Sequence, residues 1–168
     1  MGLINNTVYL ENNYELWKNM FEEEKEKLIK IFNQDNFEIE HVGSTSIKGL
    51  SAKPIVDIAI GVNSFSDMDK YIDILKEIYN IKINDIDNEM LLIKENDVET
   101  FFLIHVLPLT CERYINMIKF RDILINNPNT LKEYEKLKIN LSKKYPNDRK
   151  MYTQTKRDFI EEILKNTN

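Results

Sequence analysis

The sequence is short of residues that interrupt a chain, staple it or carry it through a membrane. Only 4 glycines and 4 prolines punctuate 168 residues, and no tract is rich in Pro, Gly or Ser, so no flexible linker is expected. No internal repeat is present either. One domain spanning residues 1–168 is the economical reading, and a chain of that length buries roughly 70% of the surface its unfolded form exposes. The lone cysteine, Cys111, excludes an internal disulfide. Runs of apolar residues are too short to read as a membrane span or a signal peptide, so a cytoplasmic location without a membrane partner is expected. A surplus of positive charge is also missing. Against 28 Asp and Glu stand 23 Lys and Arg, a formal net charge of -5, which argues against an electrostatically driven nucleic-acid partner. Small anions can still be held locally.

What is present is an ordinary globular composition, 42% hydrophobic and 30% charged, with 8 Phe and 8 Tyr to fill a core. From Asn13 to Phe32, the residues Tyr14, Trp17, Phe21, Leu28 and Phe32 recur at helical spacing, and Glu22, Glu24, Lys25 and Lys27 read as the solvated face. Phe37 to Val42 and Pro54 to Val62 read as strands. Ser66 is placed to cap a helix reaching about Ile78, with Asp67 and Asp69 near its positive end. Met90 to Lys94 and Thr100 to Leu107 read as a hairpin around Glu95-Asn96-Asp97. The last third is helical, with Asn127 and Pro128 as cap and first residue of one helix, and another opening near Asn147. The expected fold class is α/β (α+β), strands early and helices late.

The candidate chemistry sits in His41-Val-Gly-Ser-Thr-Ser-Ile-Lys-Gly-Leu-Ser-Ala-Lys-Pro-Ile-Val-Asp57. Gly43 permits a tight backbone, Ser44, Thr45 and Ser46 bring three hydroxyls, and Lys48 and Lys53 add charge. A short helical turn from Ser44 to Leu50 would aim amides at an anion. Gly-Ser-Thr-Ser is equally a common turn and cap sequence. On the second strand, parity puts Val56, Ile58, Ile60 and Val62 on one face and Ile55, Asp57, Ala59 and Gly61 on the other. A carboxylate among such neighbours requires a hydrogen bond, a cation or a solvated cleft, so Asp57 needs a partner.

These residues resemble the GrpB family, within the nucleotidyltransferase-like superfamily. The likeness extends to Phe102-Leu-Ile-His-Val106, Phe120-Arg-Asp122, Glu133-Tyr-Glu-Lys-Leu-Lys138 and Asp148-Arg-Lys-Met-Tyr-Thr-Gln-Thr-Lys156, covering roughly residues 7 to 165. It implies a mixed β-sheet flanked by helices, with the Gly-Ser loop at the mouth of a cleft. The family has no firmly assigned reaction, and its domain also occurs fused to dephospho-CoA kinase, which implies a partner enzyme as one setting. In the superfamily, such a loop holds a nucleoside triphosphate, and paired acids on the next strand bind Mg2+, with a third acid on a neighbouring strand. Carried over, Gly43 and Ser44 match the loop and Asp57 the first acid. The second acid falls at Ala59, and the third position offers His105, a poor magnesium ligand; Glu38, Glu40 or Glu99 are the nearby acids that remain.

The candidate set is therefore Asp57 and His105 for catalysis and Asp57 for Mg2+. Gly43, Ser44, Thr45, Ser46, Lys53, Arg121, Tyr152 and Lys156 are candidates for binding a nucleotide or phosphorylated small molecule. Each has a plain structural alternative. From the residues alone His105 reads as a satisfied core histidine before a general base, Arg121 as the ion-pair partner of Asp122, and Asp148, Tyr152 and Lys156 as one packed helix face. Nothing near Cys111 marks a catalytic thiol. Two functions follow: Mg2+-dependent transfer of a nucleoside monophosphate to a small acceptor, or a non-catalytic nucleotide- or phospholigand-binding module.

Overall fold

The computed structural model describes residues 2–33, 35, 37–84 and 89–167. In chain order the elements are β1 (Leu3–Ile4), α1 (Tyr14–Phe32), β2 (Glu38–Val42), a 3-10 turn at Ser44–Ser46, β3 (Val56–Val62), a 3-10 segment at Phe65–Tyr71, α2 (Ile72–Lys76), β4 (Asn80–Asn84), β5 (Glu89–Glu95), β6 (Glu99–Pro108), α3 (Glu112–Asn126), α4 (Pro128–Lys144) and α5 (Arg149–Asn166). The six strands form one sheet in the order β2-β3-β6-β5-β4, and β1 adds to β6. Only the central β3–β6 pair is parallel; every other pair is antiparallel. The sheet is therefore mixed and flanked by helices, as expected.

Strand parity sorts the molecule into two faces. Val56, Ile58, Ile60 and Val62 are wholly buried against Trp17, Phe21, Leu28 and Phe32 of α1 and against Met68, Tyr71 and Leu75. These β-branched side chains suit a pleated, buried surface, and their partners come from helical stripes of matching spacing. The opposite face, carrying Asp57 and Ala59, meets the C-terminal helices. A smaller cluster of Val42, Ala59, Leu107 and Tyr114 joins it to α3. A second cluster, Ile47, Leu50, Leu124 and Tyr134, pins the loop after β2 to α3 and α4.

Several local readings differ from the sequence expectation. Glu24 is no solvated residue: it is 1% exposed, and its carboxylate takes Lys94 Nζ at 2.7 and 2.8 Å, Tyr79 Oη at 2.6 Å and Lys27 Nζ at 3.1 Å. Helical position alone does not show that β5 carries a lysine to that point. The cap of the segment after β3 is Ser64, two residues before the expected Ser66, in a reciprocal capping box with Asp67. That segment is 3-10 for seven residues before it becomes α-helix. The turn at Ser44 is three residues long and does not run to Leu50. β4 had no sequence counterpart, because an edge strand paired on one side has weak patterning. The hairpin of β5 and β6, and the Asn127 cap with Pro128 in the first turn, form as expected. Cys111 caps α3 through Sγ, which accepts the Tyr114 amide at 3.3 Å.

Candidate functional site

The site lies on the C-terminal-helix face of the sheet, where β2 hands over to the Gly-Ser loop. Gly43 has φ +70°, and a Cβ built there would meet Asp57 Oδ2 at 2.5 Å. Glycine is thus required twice, by the left-handed backbone and by the close approach of the Asp57 carboxylate. In the loop, the amides of Ser46 and Ile47 donate to the carbonyls of Gly43 and Ser44, each at 3.3 Å. The amides of Ser44 and Thr45 meet no acceptor among the described residues. Of the three hydroxyls, Ser46 Oγ donates to the Gly43 carbonyl at 2.6 Å, and Thr45 Oγ1 pairs with His41 Nε2 at 3.1 Å. Ser44 Oγ makes no hydrogen bond among the described residues.

Asp57 keeps 30% of its side-chain surface exposed, so solvent reaches its carboxylate. Register places Ala59 beside His105 and His105 beside Leu91, bringing Asp57 and His105 onto one face of adjacent strands. His105 Nε2 lies 3.8 Å from Asp57 Oδ1, and its Nδ1 lies 2.5 Å from Glu89 Oε1. Glu89 Oε2 in turn holds Arg113 Nη1 at 3.1 Å. Burial opposes charging His105, but the carboxylates on either side raise its pKa above the ordinary value. For Asp57, burial works against ionisation; His105 first, then Lys53 and Lys156, outweigh it and hold the carboxyl below the usual range.

Cations gather on the other side of Asp57. Lys53 Nζ stands 5.3 Å, and Lys156 Nζ 4.8 Å, from the centre of the buried Tyr152 ring. Burial, then the repulsion of Lys156 and Arg149, pushes Lys53 down to about 7 against the pull of Asp57. Arg149 is likewise lowered by burial, with Asp57 and Glu95 acting the other way. Lys53, Lys156 and Arg149 form no salt bridge among the described residues. Behind them, Lys138 is buried, donates to the Ser51 carbonyl and lies 3.4 Å from Glu135. Glu135 accepts the Ser51 amide on both oxygens, so α4 clamps the chain two residues before Lys53.

The structure thus brings Gly43, Lys53, Asp57, His105, Tyr152 and Lys156 together near the start of β3, with Ser44 next to Gly43 in the loop. Arg121 stands apart in role: it donates to Glu40 at 2.7 Å, to Asp122 at 2.8 Å and to the His41 carbonyl at 2.9 Å, bracing the end of β2. His41 stacks on Phe21 at 4.7 Å and props Thr45, and burial first, then Arg121, lowers its pKa to about 4 despite Asp57. The sequence reading missed Glu89, Arg149 and Lys138. Glu89 lies one residue outside the strand read as Met90 to Lys94, and its approach to His105 depends on the register of β5 on β6.

The sequence model of the family described as GrpB protein matches residues 7–166. The chain belongs to the GrpB family. It is 39% identical to the glutamate-rich protein GrpB of Alkalihalophilus pseudofirmus, over 98% of each chain. It is 32% identical to the UPF0157 protein YqkA of Bacillus subtilis, over 90% of this chain and 45% of that one. The crystal structure of the conserved protein GrpB from Enterococcus faecalis superposes with a TM-score of 0.83 at 26% identity, covering 94% of this chain and 96% of that one. None of these names states a reaction.

The magnesium ligands that the nucleotidyltransferase resemblance implies have no fitting set in this GrpB chain. Ala59, where the second acid would stand, is wholly buried with Val42, Leu107 and Tyr114. Its cross-strand neighbour Glu40 gives its carboxylate to Arg121, and Glu89 is taken by His105 and Arg113. Among the described residues, no group of three or more His, Cys, Asp or Glu is arranged to hold a metal ion. Magnesium prefers octahedral coordination by anionic oxygens, which a lone Asp57 facing a histidine does not supply. No helix among the described residues is long and apolar enough to cross a membrane.

Proposed function

We propose that this GrpB-family protein binds the phosphate group of a nucleotide or phosphorylated small molecule in the cleft between the Gly-Ser loop and the start of α5. One observation carries the reading: Lys53, Lys156 and Arg149 converge beside Asp57 without a salt bridge among the described residues. Holding such charges in a partly dehydrated cleft costs stability, and an arrangement of that kind is kept for a ligand that neutralises it. The free Ser44 hydroxyl and the Ser44 and Thr45 amides add the directional donors that an anion's oxygens need. The arrangement favours binding over nucleotidyl transfer by magnesium ions, because that chemistry needs acids at the positions held by Ala59 and His105. A phospholigand module serving a partner enzyme is the setting that suits it.

A thermal-shift panel of nucleotides and phosphorylated metabolites tests this. At 100 times the dissociation constant, a ligand adds about 2.7 kcal/mol, a midpoint rise of roughly 5–10 °C for a chain of this size. Lys156→Met should lose most of that rise. If no phosphorylated compound moves the midpoint, or if Lys156→Met responds like the parent, the proposal fails.

A further inference from the structure

We infer that the cleft takes a metal-free phosphate monoester, with His105 standing as a fixed cation in the place where the superfamily puts a magnesium-binding acid. The inference rests on the phosphate-site reading above and narrows its ligand. It follows from what each charged group faces. Both ring nitrogens of His105 point at carboxylate oxygens, Nδ1 at Glu89 and Nε2 at Asp57. Two carboxylates within 4 Å favour the charged ring, an imidazolium hydrogen-bonded to Glu89 and facing Asp57 by charge alone across 3.8 Å. Glu89 is further held by Arg113, and with β5 and β6 adjacent the ring is fixed in place. Asp57, the single superfamily acid that remains, already has His105 beside it, with Lys53 and Lys156 acting on it from further away.

The charge count points the same way. Asp57, Glu89 and Glu95 are the carboxylates acting on His105, Lys53, Lys156 and Arg149, with Arg113 also on Glu89. The excess is positive and suits an anion. A metal-chelated triphosphate brings its own cation and needs protein acids to hold that cation; here the second acid position is the apolar Ala59, sealed under Tyr114. A phosphate monoester needs donors instead, and Ser44, Lys53, Lys156 and Arg149 are donors.

The test is a binding series on the full chain with inorganic phosphate, ribose 5-phosphate, AMP and ATP, each in EDTA and in excess Mg2+, read by midpoint shift and calorimetry. A monophosphate probe should bind in EDTA, with Mg2+ changing its dissociation constant less than about twofold. The three monophosphate arms separate free phosphate, a sugar phosphate and a nucleotide as the source. Binding seen only with Mg2+, or ATP with Mg2+ bound about tenfold more tightly than every monophosphate, overturns the inference and leaves the phosphate site standing. Silence of all probes in both conditions overturns both. Asp57→Asn gives a second reading of opposite sign. Removing a negative charge that merely balances His105 should tighten metal-free phosphate binding severalfold, up to about tenfold. Abolished binding in a folded Asp57→Asn chain would overturn it, since a carboxylate that only balances His105 is not needed for an anion to bind.

Discussion

Lys53→Met removes one charge and keeps the length of the side chain, so it isolates what the ammonium costs the fold. Burial and the neighbouring cations bring Lys53 from its ordinary 10.5 down to about 7. Taken at face value, that depression corresponds to about 5 kcal/mol at 1.36 kcal/mol per unit. The side chain is only half-buried, so solvent screening reduces this to about 2 kcal/mol. The sign follows from proton linkage. Between about pH 7 and 10.5 the unfolded chain holds the lysine proton more firmly than the folded one, so the parent gains stability as pH rises through that window. Below it the penalty is present in full. Lys53→Met should therefore be more stable than the parent by about 2 kcal/mol at pH 6, or roughly 4–8 °C, and by less than about 1 kcal/mol at pH 10. Urea unfolding at the two pH values measures the difference, and phosphate binding should be lost in the same variant. A Lys53→Met chain less stable than the parent at pH 6, or a gain that persists unchanged at pH 10, would refute the reasoning and make Lys53 a structural residue.

Three further substitutions probe the surroundings. Gly43→Ala forces a Cβ into a left-handed backbone and against Asp57 Oδ2, and should cost about 2–4 kcal/mol with loss of phosphate binding; retained binding would show that the loop does not need its present path. Ala59→Asp puts a carboxylate under Tyr114 and should cost about 3 kcal/mol or more without creating a magnesium response, measured by the midpoint with and without Mg2+; a stable, magnesium-responsive variant would contradict the packing argument. Glu24→Gln leaves Lys94 without its countercharge and should cost about 3 kcal/mol near neutral pH. Burial disfavours the Glu24 charge, but Lys94, Tyr79 and Lys27 hold its pKa below the ordinary value. Its contribution is therefore complete above the ordinary carboxylate pKa and is lost as pH falls through the lowered one. The gap between parent and variant should close in acid, and a gap independent of pH would rule the ion pair out as its cause.

Some of this was legible from residue order alone, and the reason is that local periodicity and turn chemistry are local. The 2-residue alternation of Val56 to Val62 separates a buried face from the face that carries Asp57, whatever packs on either side. Gly43 before three hydroxyl residues marks a tight polar loop, and Asn127 before Pro128 marks a helix start. Which charges meet was decided elsewhere. Glu89 reaches His105 because β5 pairs antiparallel with β6, and Lys94 reaches Glu24 because a helix and a strand 70 residues apart share the other face. Arg149 and Lys156 arrive at Asp57 from an element nearly a hundred residues downstream. A carboxylate in an apolar strand announces by itself that it needs a partner, since an isolated buried charge is too costly. Whether that partner is a metal ion or an imidazolium depends on strand register and helix docking, and those are properties of the assembled sheet.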